Sequence, residues 1–221
     1  MLATDPPPAR SEAGRISRNN LLRPATAGDK QVIWLMLDEY WNRNFDQSRP
    51  LAHELRELYR KRWVRFHSLP DSKRYAETDS DWATLLERHN TLVDRLTDDG
   101  CQIELLTTNW SSGRQPLSAP SEFLELDLPT IHWRSFAKND DASNWWHLFH
   151  TQITWNYGTL DRVFRLVAEN EISNVMLVDP TDNWLIHPYD GGLDMILGSR
   201  TERDTMSSEF ASWRSKRSDG L

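Results

Sequence analysis

The stretch Trp184–Leu197, WLIHPYDGGLDMIL, constrains this chain more than any other. Trp184-Leu185-Ile186 is an apolar run of strand type, and Leu193, Met195 and Leu197 recur at every second position after it. A period of two puts these three residues on one face of a strand and Asp194 on the other. Between the two runs, Asp190-Gly191 is a signal for a two-residue hairpin turn with positive φ at both central positions. Pro188 cannot donate to a sheet ladder, so the first strand is expected to end there, bulge there or lie at an edge. Gly192 is expected to let the backbone come close to another group, or to relax the turn.

The rest of the chain supplies strands and helices in mixed order. Ile172–Val178 reads as a strand, and Asp179-Pro180-Thr181-Asp182-Asn183 turns it into the hairpin, giving a three-stranded meander. Thr201 with Asp204 then starts a helix on which Met206, Phe210 and Trp213 form a short stripe. Upstream, a helix is expected over residues 28 to 44. A second opens at Pro50, with Leu51, Leu55, Leu58 and Tyr59 at helical spacing. Trp63–His67 is a strand closed by Leu69-Pro70. Thr78 and Asp81 form a capping box for a helix that runs to about Leu96, with Trp82, Leu85, Leu86, Leu92, Val93 and Leu96 as its stripe and Asp99-Gly100 as its stop. Gln102–Thr107, Thr130–Phe136 and His147–Trp155 read as strands, and the Ser/Pro/Gly-rich stretch 111 to 121 as a loop. Thr159 is expected to cap a helix with Leu160, Val163, Phe164 and Val167 inward. This order defines an α+β fold: a mostly antiparallel sheet with helices packed on one face, ending in a C-terminal β-meander and a helix.

Length and composition narrow the function. The 221 residues suffice for one domain with a sizeable core. Residues 1 to 25, with Pro6-Pro7-Pro8, scattered arginines and no apolar h-region, read as a disordered tail rather than a secretory signal. Residues 26 to 221 read as a single domain. A formal net charge of -7 argues against general nucleic-acid binding. Cys101, the single cysteine, excludes a disulfide framework within the chain and a cysteine-based metal site, and fits a reducing compartment. No run approaches the 18 apolar residues of a membrane-spanning helix. Eleven tryptophans can either hold a core together or line a binding surface.

Three polar motifs carry the possible chemistry. In Arg65–Tyr75, RFHSLPDSKRY, Arg65 and His67 share one face of a strand, and Lys73 and Arg74 follow in the next loop. Such a set can hold a phosphate or carboxylate, or it can be a solvated loop paired with nearby acids. Ser68 beside His67 makes no nucleophile–base pair by adjacency alone. In Glu87–Asn90, His89 lies on the buried stripe, where a hydrogen-bonded core histidine is the expectation, and Arg88 lies toward the flank. In His187–Asp194, a set of His187, Asp190 and Asp194 would suit a divalent metal, but Asp190 serves the turn, so a structural role is preferred and no metal is expected. His147 and His150 face opposite ways on a strand, which argues against a metal pair. Motifs for dinucleotides, P-loop nucleotides and zinc proteases are absent, and no cofactor is expected.

At RFHSLPDSKRYAE, ERHN and HPYDGGLDMIL, in that order over roughly residues 55 to 221, the chain resembles an uncharacterised bacterial protein family, a domain of unknown function. Its members carry a similar R-F-H-S-L-P-x-S-K-R-Y segment, then R-H-N, then Y-x-P-Y-D-G-G-x-D. The resemblance implies a bacterial, cytoplasmic protein and no particular activity.

Two readings follow. The first is a non-catalytic binding protein of immunity or adaptor type, recognising a protein partner or an anionic small molecule. The second is an enzyme acting on a phosphate- or carboxylate-bearing substrate. There Arg65, Lys73, Arg74 and Arg88 bind the anion, His67 is the acid or base, and Tyr189, Asp190 and Asp194 complete the site. The second reading requires Arg65, His67 and Asp194 to converge in one pocket.

Overall fold

A computed structural model describes residues 37–215 apart from 47, 117 and 139–142. The tail expected over residues 1 to 25, and the start of the helix expected from 28, lie outside the described residues. Helix α1 is described over 37–44. After it come α2 (Ala52–Leu58), β1 (Trp63–His67), α3 (Asp79–Asp94), β2 (Gln102–Ser111), α4 (Ser121–Glu125), β3 (Ile131–Ala137), β4 (Trp145–Thr154), α5 (Asp161–Ala168), β5 (Met176–Asp179), β6 (Trp184–Tyr189), β7 (Gly192–Ile196) and α6 (Arg200–Glu209). Among the described residues seven strands form one sheet in the order β1-β7-β6-β5-β2-β4-β3, with every pairing antiparallel. This is the expected α+β fold, with the meander β5-β6-β7 and a closing helix.

Strand alternation divides the core in two. Val64, Phe66, Leu193, Met195, Trp184, Ile186 and Leu177 pack one face of the sheet against α3, α5 and α6. Trp63, Ile196, Leu185, Met176, Val178, Leu106 and Leu148 pack the other face against Leu37 and Trp41 of α1 and Ala52 and Leu55 of α2. Helices therefore cover both faces, not one. The strands between the sheet's edges are apolar on both sides, and a sheet buried on both faces needs cover on both. Five tryptophans (Trp41, Trp63, Trp133, Trp155 and Trp184) are buried in these clusters, while Trp110 is exposed.

Several boundaries differ from the sequence pattern. Thr78 and Asp81 do form the capping box of α3, but the helix ends at Asp94, before Asp99-Gly100. The last helix starts at the Ser199/Glu202 capping box, two residues earlier than Thr201/Asp204, because the longer Glu202 reaches back to the Ser199 N–H at 2.8 Å. Thr159 does not cap α5; Leu160 precedes the helix without a side-chain cap, and Thr159 Oγ1 instead accepts from Asn156 N. Leu58 of α2 points to solvent.

His89 is fully buried, and its Nε2 lies 2.9 Å from Ser68 Oγ, edge-on to Phe164. It is thus the hydrogen-bonded core histidine expected, and Ser68 is tied to it rather than to His67. Burial, and secondarily the charge of Arg88, pushes its pKa down to about 3. The unfolded chain then binds a proton near the ordinary value of 6.5 that the native state refuses, so stability is full above that value and falls as the pH drops toward 3. The group accounts for a loss on the order of 4 kcal/mol across that window. Urea unfolding at pH 7 and pH 4.5 is expected to show a smaller acid-induced loss for His89→Asn than for the wild type.

Candidate functional site

The hairpin β6–β7 and strand β1 place their polar residues in register. Asp194 stands opposite Arg65 of β1 on one side and His187 of β6 on the other. The next row holds His67, Gly192 and Tyr189. By alternation, both rows extend the sheet face that farther along carries Trp63, Ile196 and Leu185, so the apolar face turns polar at this end. Helix α2 passes over it. There, Ala52 and Leu55 face the core, and His53 and Arg56, three apart and each one residue further round, look over the polar rows.

The result is a cavity of about 760 Å³ lined by His53, Arg56, Arg65, His67, Ser72, Arg74, His187, Tyr189, Asp190, Gly191, Asp194 and Ser215. No aliphatic side chain is in that lining, whereas binding pockets are commonly mostly apolar. Arg65 meets Asp194 through a fork, Nε to Oδ1 at 2.7 Å and Nη2 to Oδ2 at 2.8 Å, with both side chains largely buried. Its guanidinium also lies 4.5 Å from the Tyr189 ring centroid and 5.5 Å from that of Trp63. At the rim, Arg74 Nη2 contacts Asp190 at 2.7 Å. The Asp190 side chain is thus bound to an arginine.

Gly192 is where the backbone approaches closely, as expected. A Cβ there would sit 2.3 Å from the Phe66 carbonyl oxygen and 2.6 Å from the Tyr189 hydroxyl, so its absence makes room for the Tyr189 ring. The two-residue turn forms, but among the described residues the positive φ values fall elsewhere and not at Asp190 or Gly191. Pro188 lies beyond the last β5–β6 pairing, Leu177 with Ile186, so its missing donor costs no ladder bond to β5.

Two of the three cavity histidines, His67 and His187, are held uncharged. Burial lowers the pKa of His67, helped by Arg65 and Arg88, against a hydrogen bond to the Gly191 backbone. Burial also lowers that of His187, against its bond to Val175 and the charge of Asp194. His187 Nδ1 is 2.7 Å from the Val175 carbonyl, which can only accept, so Nδ1 carries the hydrogen and Nε2 is unprotonated in the neutral ring. Burial pushes the Tyr189 phenol up, so it stays a neutral donor.

Six of the eight residues named for the anion-binding reading (Arg65, His67, Arg74, Tyr189, Asp190 and Asp194) line this one cavity, as does His187. Lys73 and Arg88 do not. Lys73 pairs with Asp81 at 2.8 Å and Glu77 at 2.9 Å, at the start of α3. Arg88 stacks on Trp213 and donates Nη1 to the His67 carbonyl at 3.0 Å, holding β1 in place. The set His187, Asp190 and Asp194 gathers no metal site: among the described residues no group of three or more His, Cys, Asp or Glu is placed to hold an ion. His147 and His150 do face opposite ways, the first between Ser111 and Ser135, the second 2.9 Å from Glu104. Sequence reasoning missed His53 and Arg56 as site residues; their one trace is the i, i+3 spacing beside Ala52 and Leu55.

These features define a class, an α+β protein with a cation-rich cavity at the polar end of one antiparallel sheet. The chain belongs to the family described as Domain of unknown function (DUF3885), whose model matches residues 51–218. This agrees with the resemblance to an uncharacterised family. No curated protein and no solved structure matches the chain. Among the described residues no helix is long and apolar enough to cross a membrane.

Proposed function

We propose that the cavity binds a small anionic molecule, one carrying a phosphate or carboxylate alongside other polar groups. The observation that carries this reading is the convergence of three arginines and three histidines, against two aspartates, on a lining without aliphatic side chains. Each aspartate is occupied by its own arginine, Asp194 by Arg65 and Asp190 by Arg74. That leaves Arg56, whose ion pair at 3.4 Å is with its exposed neighbour Glu57 outside the lining, as the cation offered to a ligand. Arg65, locked by Asp194 and stacked on Tyr189, is a rigid part of the floor. The protein-partner version has less support, since none of the exposed aromatic residues Tyr75, Trp110 and Tyr157 is part of the cavity lining.

The test is a calorimetric titration with inorganic phosphate, a hexose phosphate and citrate. One-to-one binding is expected, weakened at least tenfold by Arg56→Ala, since a hydrogen bond to a charged group contributes about 1.5–3 kcal/mol. Acidification adds a second expectation. An anion beside His67 and His187 favours their charged forms, whose pKa values lie below 6.5 in the free protein, so affinity must rise as the pH falls from 8 toward 5.5. Sulfate is the probe for that arm, because a phosphate ester itself titrates near about pH 6. Equal affinity in Arg56→Ala, or affinity that falls with acidification, would contradict the proposal.

One observation favours a catalytic version of the same site. His187, with its tautomer fixed by Val175, presents an unprotonated Nε2 to the cavity and is set up to take a proton. In that version His187→Gln abolishes turnover of a bound phosphate ester while leaving binding within about threefold, a split that plain binding does not produce.

A further inference from the structure

A second cluster of polar side chains lies away from the cavity, where β3, β4 and the end of β2 meet. His132 Nε2 is 2.8 Å from Ser135 Oγ, Ser135 Oγ is 2.7 Å from His147 Nδ1, and His147 Nε2 is 2.8 Å from Ser111 Oγ. Ser135 stands directly opposite His147 across the β3–β4 ladder. His132 and Ser135 are three apart and in a regular strand would face opposite sides. A β-bulge between His132 and Arg134 turns both toward His147. Bulges recur beside active sites because they re-aim a side chain in this way.

The protons can be placed by elimination. Ser111 Oγ donates to the Gly113 carbonyl at 2.8 Å and accepts from Gly113 N at 3.2 Å. Its hydrogen is used there, so His147 Nε2 must be the donor to Ser111. The Gly113 backbone also bonds to the His147 ring, which again calls for a hydrogen on that side. Burial lowers the His147 pKa and keeps the ring neutral, with one N–H only. Nδ1 therefore carries a lone pair, and the hydroxyl of Ser135 donates to it. His132 Nε2 lies 2.8 Å from the same Ser135 Oγ, and its ring also bonds to the Arg134 backbone.

We propose that Ser135 is a nucleophile activated by His147 and that it acts on small carboxylic esters. The three parts such a site requires are present: a nucleophile, a base within hydrogen-bond reach, and a third group, Ser111 with Gly113, that fixes the base. Ser135 is half-buried on an edge strand of the sheet, and His147 is fully buried behind it. Ser135 Oγ attacks the carbonyl carbon as its proton passes to His147 Nδ1. The bond from that carbon to the leaving alcohol oxygen then breaks, and the alkoxide takes the proton. Water, giving its proton to the same nitrogen, releases the carboxylic acid, and the proton returns to Ser135.

The experiment is labelling of the folded full-length chain with a fluorophosphonate, mapped by peptide mass spectrometry, with p-nitrophenyl acetate hydrolysis in parallel. Ser135 is expected to label faster than any other serine, and Ser135→Ala to lose both the label and the hydrolysis. His147→Gln is expected to slow labelling by about a hundredfold or more, the range for a general base. If His147→Gln does not fold, the wild-type pH profile carries the same test, with labelling falling as acid protonates the base. A folded wild type unlabelled at Ser135, or labelled at a rate indifferent to pH and to His147, overturns the proposal.

Discussion

Replacing Asp194 by Ala is expected to cost about 3–5 kcal/mol of folding stability, the range for removing one partner of a buried ion pair. The reason is what the substitution leaves behind. The Arg65 side chain is only 10% exposed and Asp194 only 6%, and the pair is joined by two hydrogen bonds in a planar fork. Without the carboxylate, a guanidinium that cannot lose its proton is left among Trp63, Tyr189 and the sheet. Removing both charges avoids that penalty, so Arg65→Met/Asp194→Leu is expected to regain most of the loss. Urea unfolding at pH 7 of the wild type, the single variant and the double variant reads the difference. A loss under about 1 kcal/mol for Asp194→Ala would place the pair among exposed salt bridges and contradict its burial.

Gly192→Ala is expected to destabilise by about 3 kcal/mol, at the top of the usual range for overpacking. The added methyl meets the Phe66 carbonyl oxygen at 2.3 Å, and that oxygen belongs to the backbone of β1, paired with β7 through this register. It cannot retreat without opening the β1–β7 ladder, which also carries Arg65 opposite Asp194. The Tyr189 hydroxyl, at 2.6 Å, must move as well, so the floor of the cavity changes along with the stability. Gly191→Ala is the control. Its nearest contacts are a Tyr189 ring carbon at 3.3 Å and the Arg74 Cγ at 3.4 Å, both on side chains, and it is expected to cost under about 1 kcal/mol. Hydrogen exchange in β1 should rise in the first variant and not in the second.

Much of the fold could be read from local pattern. The alternation in Leu193–Leu197, the Asp190-Gly191 turn and the Thr78/Asp81 cap each depend on neighbours in sequence. So did the placement of Arg65 and His67 on one strand face. What could not be read is the pairing of β1 with β7, which sets Arg65 against Asp194 across 129 positions. Nothing local in either strand fixes that register, and it alone turns two scattered motifs into one cavity. Lys73 and Arg88 show the converse. Both lie within or near the motifs, yet one is taken by the cap of α3 and the other supports β1 from the opposite face. His53 and Arg56 belong to a short helix whose direction over the sheet is set by packing, and of its expected stripe Leu51 and Leu55 are buried while Leu58 is exposed. Ser199 and Thr201 both open capping-box frames, and the choice between them depended on the reach of Glu202, a matter of side-chain length rather than pattern.

The most direct test of the central claim follows the imidazole signals of His53, His67 and His187 by NMR while a hexose phosphate is titrated into the full-length chain. A ligand seated in the cavity is predicted to shift all three in a single saturable step and to raise the pKa values of His67 and His187 from their depressed positions. The same additions should leave His89, buried against Phe164 on the other face of the sheet, unmoved. Saturable binding with shifts confined to residues outside the cavity, or no binding of any anion by the folded protein, would contradict the account.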